Sequence, residues 1–166
     1  MKPLVVFFLV SFTGLIGCGV SKEAVKEEML TGWVDRASFE SPTYPKFKAN
    51  YDSSVVSQDV IDMVREVHDG VEFLVFFGTW CGDSKRDVPR FLKTADLAGI
   101  DGGRIRFYGL DRTKKSGDGL ADQHDIHLVP TFIFLKDGKE IGRIVEKPVS
   151  SIEDNMLSIL ATAFSR

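Results

Sequence analysis

The stretch Phe76-Phe77-Gly78-Thr79-Trp80-Cys81-Gly82-Asp83-Ser84-Lys85 decides how the rest of the 166-residue chain is read. Upstream of it, Phe73, Leu74, Val75, Phe76 and Phe77 run together without polar alternation, the pattern of a strand covered on both faces. Downstream, Val88, Phe91, Leu92 and Ala95 recur at helical spacing, and Gly99 lies near the end of that pattern. The junction holds a glycine, a tryptophan and one cysteine. A thiol at that junction sits at the mouth of a helix, where unpaired backbone N–H groups and the helix dipole favour a thiolate.

On the N-terminal side of this junction, Val56, Val60, Met63, Val64 and Val67 fall on one helical face, stopped by Asp69-Gly70. On the C-terminal side, Pro89 lies inside the helical pattern, where a kink is expected. Ile105 to Leu110 reads as a second buried strand, and Asp111 to Gly119 as a polar loop in which Arg112, Lys114 and Lys115 are expected to be solvated. A short helix covers Leu120 to Asp125. Pro130 to Leu135 and Glu140 to Val145 flank Lys136-Asp137-Gly138-Lys139, which predicts a hairpin. Ile152, Met156, Ile159, Leu160 and Ala163 form an amphipathic closing helix. A βαβ unit joined to an antiparallel hairpin gives an α/β fold, one mixed sheet covered by helices.

The chain has two cysteines, Cys18 and Cys81, in unlike settings. Met1-Lys2 is a short positive start, Leu4 to Ile16 is mostly apolar, and Leu15-Ile16-Gly17-Cys18 closes the run with small residues. That run is shorter than the roughly 20 residues of a membrane-spanning helix, so it reads as an export signal. Leu-Ile-Gly-Cys resembles the bacterial lipobox, which implies lipidation of Cys18 and an extracytoplasmic, lipid-anchored protein of the bacterial cell envelope. The expected organisation is a signal peptide over 1–17, a membrane-proximal spacer and N-terminal extension over 18–52, and the main domain over 53–166. The spacer from Ser21 to Leu30 is charged and helix-prone, and the aromatic segment 31–52 is expected to pack in part on the domain. A net charge of −3 leaves no basic surplus to neutralise phosphates, which argues against a nucleic-acid partner. Of the aromatic residues, thirteen are Phe and most fall in apolar runs, so they read as core.

Three features in order resemble the thioredoxin superfamily over about residues 55 to 164. The turn Phe77-Gly78-Thr79-Trp80-Cys81-Gly82-x-Ser84 is similar to the family's Trp-Cys-Gly-x-Cys, Pro89 stands at its helix-kink position, and Val129-Pro130-Thr131 before the hairpin resembles its cis-proline loop. The resemblance implies a thioredoxin-like fold in which Pro130 packs by the active-site sulfur, with Trp80, Gly82, Val129 and Pro130 lining a substrate groove. Two departures matter. Ser84 occupies the place of the second cysteine, and Val75 that of a buried acid that serves it.

A mature domain with one thiol cannot form an internal disulfide. A mixed disulfide at Cys81 must therefore be resolved by a thiol of the substrate or of another partner. The expected function is thiol–disulfide exchange on exported thiol- or disulfide-containing proteins or small thiols. Cys81 is the nucleophile, and the Ser84 hydroxyl and the helix N-terminus stabilise its thiolate, with Lys85 and Arg86 offsetting Asp83. The rival expectation is a redox-silent binding module for an exported protein. No cofactor and no metal are expected: the turn also resembles the Cys-Gly-Phe-Ser of monothiol glutaredoxins, but Trp80 and the hairpin argue against it, and His124-x-x-His127 reads as solvated rather than metal-binding.

Overall fold

The computed structural model describes residues 27–164. Cys18, the signal segment and most of the spacer lie outside the described residues. At the centre is β2 (Val71–Phe77), and its sequence explains its place. Phe73, Val75 and Phe77 point into one apolar cluster and Leu74 and Phe76 into another, so both faces of the strand are buried.

Five strands form one mixed sheet in the order β1-β3-β2-β4-β5. They are β1 (Gly32–Val34), β2, β3 (Ile105–Gly109), β4 (Thr131–Lys136) and β5 (Lys139–Val145). Only β2 and β3 run parallel, with Phe77 opposite Gly109; β4 lies antiparallel on the other side, with Phe76 opposite Thr131. The β4–β5 hairpin turns at Asp137-Gly138, both at positive φ. In consequence, the end of β2, the end of β3 and the start of β4 meet at one end of the sheet.

The helices are α1 (Arg36–Phe39), α2 (Pro45–Ser53), α3 (Gln58–Val67), α4 (Gly82–Ala98), α5 (Leu120–Gln123) and α6 (Ile152–Phe164). The larger core joins one face of the sheet to α1–α4 and α6 through residues such as Phe47, Val64, Phe91 and Met156. The other face is covered more thinly, by α5 and the loops around Leu110, Ile126 and Val129. In α4, Val88, Phe91, Leu92 and Ala95 are buried as the spacing requires, Pro89 lies within the helix, and Gly99 ends it at φ 80°. In α3 the inward face differs from the sequence reading: Ile61 and Val64 are buried, whereas Met63 is 45% exposed. At 100° per residue Met63 stands a full quarter-turn from Val64, and Ile61 stands closer to it.

The segment before α3 is more structured than its lack of period suggested. Strand β1 pairs antiparallel with β3 and forms the sheet edge, with Trp33 opposite Tyr108. Phe39 is fully buried, with its ring 5.0 Å from both Phe77 and Phe107. Burying such a ring contributes about 1.5–3 kcal/mol. Residues 27–30, the described part of the expected helix-prone spacer, form no helix. Instead they cross the sheet edge at Gly109, where a Cβ would lie 2.3 Å from the Leu30 carbonyl oxygen.

Candidate active site

Cys81 is the N-cap of α4, with extended backbone at φ −83° and ψ 129°. Its amide donates to Gly78 O at 2.9 Å, and its carbonyl accepts from Lys85 N at 3.1 Å, so a tight turn passes directly into the helix. The sulfur accepts from the Ser84 backbone N–H at 3.5 Å and donates to the Val129 carbonyl at 3.2 Å. Only 9% of Cys81 is exposed. Among the described residues it is the single free cysteine.

The Val129–Pro130 peptide bond is cis. Thr131 Oγ1 donates to Leu128 O at 2.8 Å, and Pro130 O accepts from Glu146 N at 2.8 Å, which ties the loop at both ends. Leu128 is 39% exposed, whereas Val129 and Pro130 are both buried, so Leu128 is the exposed residue of this loop.

Ser84 departs from the sequence expectation. Its hydroxyl accepts from the Gly78 N–H at 3.1 Å, and its contact with the sulfur runs through the backbone amide. The side chain is fully buried, so the hydroxyl satisfies an N–H that would otherwise be orphaned where strand gives way to turn. Gly82 is the first residue of α4 and is exposed beside the thiol.

Trp80 forms a wall of this region. Its indole N–H donates to Leu110 O at 2.9 Å, and Leu110 N donates to Phe77 O at 2.8 Å, so the ring is pinned to the parallel strand pair. Gly78 lies under the ring; a Cβ there would fall 2.7 Å from Trp80 Nε1. Arg112 is exposed, and its guanidinium lies 4.9 Å from the ring centroid, a cation–π contact that the loop's polarity did not announce. Lys115 pairs with Asp122 at 2.8 Å.

The charges on the first turns of α4 are committed in pairs. Arg86 bridges Asp83 and Asp87, and its guanidinium is held well above its ordinary pKa, chiefly by the hydrogen bond to Asp87, against the opposing effect of burial. Lys85 pairs with Glu27. The local offset of Asp83 thus comes from Arg86, while Lys85 serves the incoming chain. Residues 27–30 are fastened beside the turn: Thr79 Oγ1 donates to Glu28 O at 3.2 Å and accepts from Leu30 N at 3.3 Å, and Tyr44 OH donates to Glu28 O at 2.8 Å.

His124 and His127 do not converge with Cys81. His124 packs against the Phe76 ring and His127 faces Asp125. Among the described residues no group of three His, Cys, Asp or Glu could hold a metal ion. Sequence reasoning missed Thr79, the Leu110 carbonyl and Arg112. A backbone carbonyl leaves no trace in sequence; the place of Arg112, two residues past Leu110 and hence past the end of β3, was the available signal.

A cysteine capping a helix that follows a central strand, beside a cis-proline loop that opens the neighbouring antiparallel strand, defines a thioredoxin-like domain. A family model described as thioredoxin matches residues 41–158, and the chain belongs to the thioredoxin family. The matched region takes in α2, so the family's own span reaches into the segment before α3. A thioredoxin of Malassezia sympodialis is 32% identical over 94 residues, covering 55% of this chain and 86% of that protein. Thioredoxin-2 of Saccharomyces cerevisiae is 31% identical over 116 residues, covering 70% of this chain and 96% of that one. The crystal structure of a Pseudomonas aeruginosa protein of unknown function shares the fold, with a TM-score of 0.55 at 15% identity over 72% of this chain and 82% of that chain. Membership of the family supports a thiol–disulfide redox role in general terms.

Proposed function

We propose that the protein performs thiol–disulfide exchange through Cys81 alone, as an isomerase or a partner-dependent reductase of exported proteins or small thiols. The observation that carries this reading is the position of the Cys81 sulfur, capping α4 and hydrogen-bonded to the carbonyl that precedes the cis proline. In this reading a substrate disulfide reaches the sulfur beside Trp80 and the loop that carries Val129 and Pro130. The Cys81 thiol gives up its proton and its sulfur attacks one substrate sulfur. A new S–S bond forms, and the other substrate sulfur leaves with the electron pair and takes a proton. The substrate disulfide is thereby opened, and Cys81 is held in a mixed disulfide. Ser84 supplies no second thiol, so a second thiol of the substrate, or one from a partner reductase, must attack the mixed disulfide and release Cys81.

The same reading places the protein in the bacterial cell envelope, anchored through a lipid on Cys18. Eight residues lie between Cys18 and Glu27, so at most about 30 Å of extended chain separates them. With the segment from Glu27 fastened to the active-site turn, such an anchor would hold Cys81 close to the membrane surface and favour substrates there.

The test is capture. Full-length protein is incubated with disulfide-bonded model proteins and an excess of a small thiol is withheld. Intact-mass analysis should show a mixed disulfide on Cys81 that a reductant reverses and that Cys81→Ala does not form. A protein that forms no adduct yet captures the same partner with and without Cys81 is a binding module. Metabolic labelling with a fatty acid, lost in Cys18→Ala, tests the anchor separately.

A further inference from the structure

Of the described arginines, Arg36, Arg65, Arg86, Arg90, Arg104 and Arg143 each face a carboxylate within the chain. Arg112 faces none. Its recorded neighbour is the ring of Trp80, 4.9 Å away, and it is exposed. The acid beside it, Asp111, is turned to Thr113, whose amide at 2.9 Å and hydroxyl at 2.6 Å both donate to its Oδ1. The acid on the active-site turn, Asp83, is held by Arg86. Arg106 is similarly laid over Trp33, at 3.9 Å, but at the opposite end of β3 from the thiol.

A cation–π contact uses the charge of a guanidinium without consuming its N–H donors. Those donors match a carboxylate in two-pronged fashion. The ring beneath is pinned by Leu110 O, belongs to the residue next to Cys81 and packs on the same apolar cluster as Cys81, so Arg112 is held on the active-site turn. We propose that Arg112, carried on Trp80, selects disulfides flanked by an acidic residue, so that the preferred substrates carry a carboxylate next to the cysteine attacked by Cys81. This rests on the exchange reading above and narrows its substrate class.

The experiment uses full-length protein and three short peptides that differ only in Glu, Gln or Lys beside a single cysteine protected as a 2-thiopyridyl disulfide. Cys81 attacks the peptide sulfur, the mixed disulfide forms, and 2-thiopyridone leaves with the electron pair and is read by its absorbance. Each protein is scored by the ratio of its rates on the three peptides, so a general change in reactivity cancels. An exposed ion pair of this kind predicts that Glu outruns Gln by about three- to fivefold and Lys by more, with the advantage shrinking at high salt. In Arg112→Gln the ratio should fall to about one, and Arg112→Lys should recover part of it. Equal rates on all three peptides, or a preference that persists in Arg112→Gln, overturn the assignment. Failure of Cys81 to release thiopyridone from any peptide overturns the exchange reading itself and is a different result.

Discussion

Replacing Ser84 with alanine separates two roles that its position confounds. If the hydroxyl served the sulfur, its removal would slow Cys81 and leave the fold untouched. The geometry says otherwise. The oxygen accepts from the Gly78 N–H at 3.1 Å in a fully buried site, and the contact to the sulfur comes from the Ser84 backbone amide, which alanine retains. Deleting one partner of a buried hydrogen bond leaves the other unsatisfied and costs about 1–3 kcal/mol. In a domain of this size each kcal/mol lowers Tm by about 2–4 °C. Guanidinium unfolding of wild type and Ser84→Ala, followed by far-UV circular dichroism, gives the difference directly, with the m-value expected to hold. Alkylation of Cys81 by iodoacetamide at one fixed pH provides the second axis. A variant within about 0.5 kcal/mol of wild type, yet strongly slowed in alkylation, would refute the structural role and return the hydroxyl to the sulfur.

Other parts of the molecule make equally direct predictions. Phe39→Ala empties a fully buried position among Phe47, Phe77 and Phe107, and should destabilise the whole domain by about 3–5 kcal/mol in chemical unfolding; a local loss confined to residues 27–40 would show that the segment before α3 is an appendage. Gly109→Ala drives a Cβ to 2.3 Å from the Leu30 carbonyl oxygen, so the backbone of the 27–34 segment must shift; hydrogen exchange should rise there, at a cost of about 1–3 kcal/mol. Glu153 and Asp96 connect stability to pH. Burial pushes both carboxyls up, but the Arg90 hydrogen bonds to Glu153 and the Arg36 and Tyr51 hydrogen bonds to Asp96 outweigh it, and both pKa values lie below their ordinary 4.5 and 3.8. A depressed folded-state pKa adds stability above the unfolded value and loses it as pH falls through the folded one, so stability should decline progressively below those ordinary values. Glu153→Gln should lower stability near neutrality and flatten that acid decline, which unfolding curves over a pH series would reveal.

The central strand, the helix that begins at Cys81, the hairpin and the closing helix could all be read from the chain alone. The helices show an apolar period of about 3.6 residues, the central strand a short unbroken apolar run, and Gly99, Asp137 and Gly138 mark turns by local stereochemistry. The position of the thiol was legible from the junction itself: one cysteine between an apolar run and a helical pattern falls at the start of the helix. What the sequence withheld depends on residues distant in the chain. Strand β1 has three residues, too few to show alternation, and is recognisable only by its pairing with β3. The surroundings of the thiol were equally hidden, since the carbonyls of Val129 and Leu110 look the same in any sequence and acquire a function only when the fold turns them toward a sulfur and an indole. Ser84 could be seen to replace a thiol, but the direction of its hydroxyl was decided by the Gly78 amide left unpaired at the strand end. Arg112 read as one of several charges on a polar loop, and it is the end of β3, lying beside β2, that sets it on Trp80. Local patterning and stereochemistry thus determined the elements and the place of the thiol; long-range packing, which alone brings backbone polar groups from different strands within hydrogen-bond reach, decided the contacts around it.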